Sequence, residues 1–365
     1  MEQTTGNRLA RLRARMQEQP FDTLLVLQGE NRLYLSGFTG DDGQFDESAG
    51  ALFITHDQQL LATDSRYETQ AQMEASGFEI YQYKESLASS LPEILRMLRT
   101  ENLGFEAVRL SYLQFQKFHE QIEKELHSVS LVSAENLVEN LRMIKEPQEV
   151  ETIKKSLALS ESVFETVVDT LCAGRTEREI AWAIERGLRE AGADSIAFPP
   201  IVASGPNSAL PHAIPTDRVI RQGEPILFDW GARMNGYCSD ISRTVVLGSP
   251  DDTFNKAYQV VKDAQSMAIE AMKPGVSTQA VDKIARDHIT SKGFKDRFGH
   301  ALGHGVGLAT HEKPRLSPRH PMKLEAGMVT TVEPGIYIPG WGGVRLENMV
   351  VVTEEGVEVL NRHPL

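Results

Sequence analysis

The sequence predicts an α/β domain over residues 1–132, followed by an α+β domain over residues 133–365. Residues 21–132 alternate short apolar or β-branched runs with helical patterns, which is typical of an α/β domain with its own sheet. A polar-to-helical transition over residues 133–145 marks the boundary. After it come pairs of helical patterns and strand-rich segments. These predict helices that cover a mainly antiparallel sheet.

Short runs and periodic patterns assign the elements of the first domain. Strands are predicted at 23–27, 33–35, 51–54, 60–63 and 79–83, and helices at 67–75, 91–99 and 112–126. The loop from Asp41 to Glu47 is strongly acidic, and we expect it to be solvated rather than to face a substrate. The Gly-rich loop Gly37–Gly40 lacks the spacing of a nucleotide-binding fingerprint.

The helices of the second domain carry clear start and stop signals. Pro147 suits the first turn of a long helix that runs to about residue 171. Thr176 and Glu179 form a capping box that opens a second helix, which runs to about residue 190. Two further helices are predicted at 254–272 and 280–291, and the sequence Lys-Pro-Gly separates them.

Composition limits the classes of function. The net charge of -13 argues against broad binding of nucleic acid or anionic membranes, which requires clustered Lys and Arg. Cys172 and Cys238 are too few for a disulfide framework or a thiolate metal site. The N-terminal segment lacks the apolar core of a signal peptide, and no run approaches the length of a membrane span, so we expect a cytoplasmic protein.

Two aspartates, Asp229 and Asp240, lie inside apolar runs, where a lone carboxylate is costly. Between the runs, Asn235 and Gly236 predict a two-residue hairpin turn. In that register position 229 lies opposite position 242 and 240 is its diagonal neighbour, so both carboxylates point to one face, within reach of a shared cation. The alternative is one hydrogen-bonded structural aspartate and one exposed turn aspartate.

Further polar side chains lie where burial is expected. His304 stands in the glycine-rich stretch 299–307, where the backbone can approach a ligand closely. Glu333 ends an apolar strand at a turn. The two-residue period places Arg345 and Glu347 on the same face of a Val-rich strand. The alternative for this last pair is a structural ion pair.

Taken together, these side chains make a ligand set rich in oxygen and free of sulfur. Such a set suits two divalent ions, Mn with Co or Zn as alternatives. Two such ions balance four carboxylates, and together they lower the pKa of a shared water. The predicted ligands are Asp229, Asp240, His304, Glu333 and Glu347.

This set, in this order and with these flanking residues, resembles the pita-bread metallopeptidases. That family includes aminopeptidase P, prolidase and methionine aminopeptidase, with creatinase as a metal-free relative. The stretches 31–38 and 63–67 look like the N-terminal domain that aminopeptidase P, prolidase and creatinase share. The resemblance implies a creatinase/prolidase-like α/β domain before a pita-bread catalytic domain.

The resemblance also implies a role for each ligand. Asp240 and Glu347 would bridge both ions, Asp229 would bind one ion, and His304 with Glu333 would complete the other. Glu333 would also accept a proton from the attacking water. The residues implied to contact the substrate are His212, His300, His311 and Arg345, and His212 and His311 are expected to be catalytic too. For Arg345 the alternative is that it fixes a metal ligand.

The implied function is that of an Xaa-Pro aminopeptidase, with Xaa-Pro dipeptidase (prolidase) as the alternative. A metal-free creatinase-like amidinohydrolase and a non-catalytic peptide-binding module are further alternatives. The expected partners are a peptide with proline at its second position and a second copy of the chain in a homodimer, with no nucleic acid or membrane. As the alternative to a solvated loop, the resemblance implies that the acidic loop 41–47 could reach the cleft of the neighbouring subunit in a dimer and shape selectivity for the ammonium end of the substrate.

Overall fold

The structure is a computed structural model that describes residues 2–43 and 47–362. The chain divides into two compact units, Met1–Arg142 and Met143–Leu365. The predicted boundary between residues 132 and 133 falls inside the strand Ser130–Ala134. That strand pairs in parallel with Asn102–Glu106 and so belongs to the sheet of the first unit. The division between the two units lies ten residues after the predicted boundary and within the transition stretch 133–145.

The first unit is an α/β domain built on one mixed sheet. Its helices are α1 (Glu2–Met16), α2 (Gly29–Ser36), α3 (Glu68–Glu74), α4 (Leu87–Leu98), α5 (Tyr112–Glu125) and α6 (Leu137–Arg142). Its strands are β1 (Thr23–Val26), β2 (Ala51–Ile54), β3 (Gln59–Thr63), β4 (Glu79–Gln82), β5 (Asn102–Glu106) and β6 (Ser130–Ala134). The strand order is β4-β3-β2-β1-β5-β6. Apolar residues of α4 and α5 pack against β1 and β2. The predicted fold class of this domain is confirmed.

The strand predicted at 33–35 is wrong, because these residues lie in α2. The buried carboxylate of Glu106 accepts hydrogen bonds from the backbone N–H groups of Leu27 and Gln28, both at 2.7 Å, just before this helix begins. A negative charge at a helix N-terminus is stabilising. Glu106 is about 80 residues away from this helix in the sequence, so the local pattern at residues 33–35 could not reveal its contribution.

The prediction of a solvated acidic loop is wrong for Asp42. Its carboxylate pairs with the fully buried guanidinium of Arg32 at 2.7 Å and with Arg109 at 3.2 Å. It also accepts a hydrogen bond from the Ala49 backbone N–H at 2.8 Å. Asp42 therefore joins its own loop to α2, to the loop after β5 and to the residues before β2. The predicted role of this loop in selectivity stays a prediction, and part of the loop, residues 44–46, lies outside the described residues.

The second unit is an α+β domain, as predicted. Its helices are α7 (Pro147–Asp169), α8 (Glu177–Glu190), α9 (Asp252–Ala271) and α10 (Thr278–Ser291). Its strands are β7 (Ser195–Ile196), β8 (Ile201–Ser204), β9 (Pro225–Trp230), β10 (Ala232–Met234), β11 (Tyr237–Cys238), β12 (Ile241–Val246), β13 (Gly303–Gly305), β14 (Glu312–Leu316), β15 (Val329–Val332), β16 (Gly335–Ile338), β17 (Gly342–Arg345), β18 (Asn348–Val352) and β19 (Val357–Val359). The predicted start and stop signals of these helices are confirmed, including the capping box of Thr176 and Glu179.

Antiparallel sheets fill the space between two helix pairs. They have the strand orders β11-β10-β7, β12-β9-β8, β14-β13-β15-β18-β19 and β16-β17. One core lies where α7 and α8 pack against β8 and β9, and a second lies where α9 and α10 pack against β15 and β18. Both cores are apolar. A polar side chain that points between the sheets is therefore surrounded by apolar groups. Of the helices in residues 2–43 and 47–362, none has the length and apolar character needed to cross a bilayer.

Candidate metal centre

The hairpin of β9 to β12 sets the positions of the two aspartates. Asn235 and Gly236 both have positive φ, 48° and 81°, as a tight hairpin turn between β10 and β11 requires. Further from the turn, Asp229 pairs with Ser242, which is the predicted register. Asp240 precedes β12 and is 4% exposed. The strands come very close here, because a Cβ on Gly231 would clash with the Ser239 carbonyl.

His304 lies in β13 between two glycines that allow tight strand packing. A Cβ on Gly303 would clash with the Thr331 carbonyl, and one on Gly305 would clash with the Lys313 carbonyl. His304 Nδ1 lies 3.1 Å from the Gly305 carbonyl, which can only accept, so Nδ1 carries the proton. Its Nε2 lone pair therefore faces the carboxylates, which is the tautomer that a metal-ligating histidine needs.

Two glutamates bring their carboxylates to the same place. Glu333 follows β15 and Glu347 precedes β18, and these strands pair up to Val332 and Asn348. Glu333 Oε1 lies 3.3 Å from His304 Nε2. Glu347 is 1% exposed, and its Oε2 accepts a hydrogen bond from Ser242 Oγ at 2.7 Å.

Of the five predicted ligands, the structure brings one trio within ligand distance of a common ion. Ligand atoms of Asp240, His304 and Glu347 all lie within 4.8 Å of one another. Glu333 adjoins this trio through His304. Asp229 lies outside the trio, but its Oδ1 is buried and has no hydrogen-bond partner in the described part of the chain.

The electrostatics of these carboxylates fit divalent cations. Burial raises the pKa of Asp240 well above its ordinary value, and repulsion from Glu347, Asp229 and Glu333 raises it further. The pKa of Glu333 is raised well above its ordinary value by burial and then by Glu347. Four enclosed carboxylates and an imidazole lone pair make a hard, oxygen-rich donor set. The orphaned Asp229 Oδ1 is one more acceptor in need of a cation.

Arg345 is held entirely by protein groups in this region. It is 3% exposed, and its Nη2 pairs with Asp229 Oδ2 at 2.6 Å. Its Nε donates to Ser242 Oγ at 2.7 Å, and its Nη1 donates to Tyr337 Oη at 3.0 Å and to the Pro211 carbonyl at 3.1 Å. Arg345 therefore fixes one oxygen of Asp229, in line with the alternative open from the sequence.

His300 is engaged on both ring nitrogens. Its Nδ1 donates to the Ala301 carbonyl at 2.8 Å, so its Nε2 accepts a hydrogen bond from Tyr337 Oη at 2.8 Å. Burial, followed by the charge of Arg345, lowers the pKa of His300 to about 3. The ring is therefore neutral near pH 7.

His212 and His311 are the exposed histidines of the site. The His311 ring centroid lies 4.1 Å from that of His304. Burial raises the pKa of Asp229, while Arg345, His212 and His311 oppose that rise electrostatically. Both exposed imidazoles are thus close enough to Asp229 to influence its carboxylate electrostatically.

The hydrogen-bond network of the site includes three residues that the sequence did not predict as site residues: Tyr337, Ser242 and Thr331. Tyr337 links Arg345 to His300. Ser242 links Arg345 to Glu347, and Thr331 Oγ1 donates to Glu333 at 3.3 Å. The hairpin register could have revealed Ser242, because it lies opposite Asp229. Tyr337 carried no comparable signal.

Comparison with known proteins identifies the family. Residues 151–354 match "Metallopeptidase family M24", and residues 8–144 match "Creatinase/Prolidase N-terminal domain". The chain belongs to metallopeptidase family M24. The family and enzyme class predicted from the sequence are thereby confirmed, and membership implies divalent metal ions.

Relatives of this M24 peptidase align along nearly its whole length. The Xaa-Pro dipeptidase of Pyrococcus furiosus is 36% identical over 357 residues, which cover 97% of each chain. A solved Xaa-Pro dipeptidase from Bacillus anthracis has a TM-score of 0.92 and 36% identity, and the alignment covers 99% of this chain and 98% of that one. A solved X-Pro aminopeptidase from Thermotoga maritima has a TM-score of 0.85 and 36% identity, with 95% and 97% covered.

Proposed function

We propose that this M24 peptidase hydrolyses the Xaa-Pro bond at the N-terminus of a peptide with the help of two divalent ions. The two ions are supported by the enclosed donor set around the His304 lone pair, in which neighbouring carboxylates raise the pKa of Asp240 beyond the effect of burial. The Xaa-Pro substrate is supported by the relatives that carry this activity. The residues that would hold the ions are Asp229, Asp240, His304, Glu333 and Glu347.

Divalent ions, when bound there, supply Lewis acidity and a water of lowered pKa. Glu333 accepts one proton from the water that attacks the carbonyl carbon. The C–N bond then breaks, and the proline nitrogen takes up a proton. His212 and His311 are exposed, and we propose that they pass the proton taken up by Glu333 on to the proline nitrogen and hold the carbonyl oxygen. Arg345 and Ser242 keep the ligands in place.

Two substrate lengths are supported by relatives. An aminopeptidase, the function expected from the sequence, is supported by the X-Pro aminopeptidase of Thermotoga maritima. A dipeptidase is supported by the Xaa-Pro dipeptidases of Pyrococcus furiosus and Bacillus anthracis. Xaa-Pro dipeptides and Xaa-Pro-Pro-Yaa tetrapeptides separate the two, since only an aminopeptidase releases Xaa from both. Xaa-Ala peptides of equal length are the matched controls for the proline requirement.

The test uses protein dialysed against a chelator and then reloaded with Mn, Co or Zn. We expect release of Xaa from at least one proline substrate only after reloading, and two ions per chain by mass spectrometry. Asp240→Asn is expected to lose the release of Xaa and the two bound ions. Absence of cleavage of every Xaa-Pro substrate by each reloaded form would refute the proposal.

The remaining alternatives predict different outcomes in the same test. A creatinase-like amidinohydrolase needs no metal, so its activity survives the chelator. A binding module binds the peptide without releasing Xaa. Both are less well supported, because all five predicted positions carry side chains that can ligate a metal. Manganese as the native metal, the homodimer and the cytoplasmic location stay predictions.

A further inference from the structure

Glu177, at the start of α8, is a buried carboxylate remote in sequence from every predicted site residue. It is 0% exposed. Its Oε1 accepts hydrogen bonds from the Ser204 N–H at 2.7 Å and Ser204 Oγ at 2.8 Å. Its Oε2 accepts from the Thr216 N–H at 3.1 Å and Thr216 Oγ1 at 2.6 Å. The Asn207 side-chain amide donates to both oxygens, at 3.2 Å and 3.1 Å. A single carboxylate therefore joins two points of the chain twelve residues apart.

The segment 204–216 between these two points carries His212. At its centre, Pro211 offers its carbonyl to Arg345. Ser208 Oγ accepts a hydrogen bond from the Gly343 N–H at 2.8 Å, and a Cβ on Gly343 would clash with the Ser208 carbonyl. The middle of the segment is thus packed against β17, and both of its ends are hydrogen-bonded to Glu177 of α8.

The position of His212 depends on this backbone. Its side chain is exposed, and in the described ranges no hydrogen bond to its imidazole is formed. The Ala213 N–H donates to the Leu210 carbonyl at 3.2 Å, so His212 stands at the corner of a turn. The backbone of this turn therefore determines the position of the His212 imidazole.

Five donor groups converge on Glu177 and form six hydrogen bonds with the two oxygens of its carboxylate. Both of its oxygens are pure acceptors, and each serves one end of the segment. A glutamine in its place would turn an NH2 group towards the backbone N–H of either Ser204 or Thr216. One end of the segment would then lose its acceptor.

We propose that Glu177 is a positioning residue that holds His212 at the reaction site by clamping both ends of the segment 204–216. The proposal rests on the proposed function, in which His212 contacts the reacting group. Glu177 acts through the segment and does not touch the substrate.

A double-mutant cycle tests the proposal. We expect Glu177→Gln to lower kcat/KM for the Xaa-Pro substrate by about 10- to 100-fold, as small misplacements of a reacting group do. In a His212→Ala background the same change is expected to have less than about a twofold effect, because coupled residues are not additive. Equal losses in both backgrounds would show a general structural role and overturn the proposal.

Two further variants keep this test decisive. Glu161→Gln is the matched control: Glu161 is a buried helix carboxylate of the same unit, 3% exposed, which accepts hydrogen bonds from Asn361 and Arg362. We expect it to leave kcat/KM within about twofold of wild type. Thr216→Val removes one hydroxyl donor and is expected to show the same dependence on His212 at a smaller loss. If Glu177→Gln does not fold, the Thr216 cycle decides.

Hydrogen exchange gives a readout that does not need activity. Peptides that cover residues 204–216 are expected to exchange faster in Glu177→Gln than in wild type, while peptides of α9 keep their rate. Unchanged exchange in 204–216 overturns the clamp. If wild type cleaves no Xaa-Pro substrate, the proposed function fails, whereas the exchange result still reports on Glu177 separately.

Discussion

Replacing Glu347 by glutamine is expected to stabilise the metal-free protein at neutral pH and to abolish its peptidase activity. Burial, together with the charge of Asp229, raises the pKa of Glu347 from 4.5 to about 8. Ionising this buried group is therefore unfavourable when no cation is present. Glutamine cannot ionise, and its carbonyl can still accept the hydrogen bond that Ser242 Oγ donates.

The magnitude and sign of this difference in the free energy of unfolding follow from proton binding to Glu347. Between pH 4.5 and about 8 the folded state keeps a proton on Glu347 that the unfolded state has released. The free energy of unfolding therefore falls as pH rises through this window, by about 1.4 kcal/mol per pH unit for one proton. The advantage of Glu347→Gln is expected to be small at pH 5 and on the order of 3 kcal/mol at pH 7.

Urea denaturation of chelator-treated protein at pH 5, 6, 7 and 8 measures this difference. Glu224→Gln is a control of opposite sign: burial alone would raise the pKa of Glu224, but hydrogen bonds from Arg218 hold it below its ordinary value. Across pH 5 to 8 that control is expected to show a loss of stability that does not change with pH, because a carboxyl whose pKa is lowered is ionised in both the folded and the unfolded state there. An advantage of Glu347→Gln that does not change between pH 5 and pH 8 would refute the reasoning.

Three further substitutions test the supports of the site and of its hairpin. Arg345→Met removes the partner of Asp229 Oδ2 and is expected to weaken metal binding about 10- to 100-fold in a chelator competition; unchanged affinity would contradict that role. Tyr337→Phe breaks the link from Arg345 to His300 and is expected to cost about 1–3 kcal/mol in urea denaturation, and no loss would show that the link is dispensable. Gly236→Ala places a side chain at φ 81° and is expected to cost about 1–2 kcal/mol; a neutral result would mean that the turn relaxes.

Sequence patterns predicted best what local rules determine. The Asn235–Gly236 turn fixes the register that puts Ser242 opposite Asp229, and a turn type is a property of two residues. The helices of the second unit followed their caps for the same reason. The glycines beside His304 were recognisable because only they allow neighbouring strands to approach so closely.

What escaped prediction depends on distant partners. The helix over 33–35 forms beside the Glu106 carboxylate, and Asp42 is bound by two arginines that lie 10 and 67 residues away. Tyr337 reaches Arg345 and His300 from a strand whose sequence gives no polar signal. Such contacts exist only once the sheets are assembled, so no window of sequence contains them.

The guanidinium of Arg345 changes the charge balance of the whole cavity. It is 3% exposed and paired with Asp229, so its positive charge is a permanent part of the enclosure. Four acidic groups against one basic group leave three negative charges, and the proposed pair of divalent ions brings four positive ones. The filled cavity then has a surplus of one positive charge, and electroneutrality favours a small anion there. The charge of Arg345 would in this way favour hydroxide over neutral water in the filled cavity.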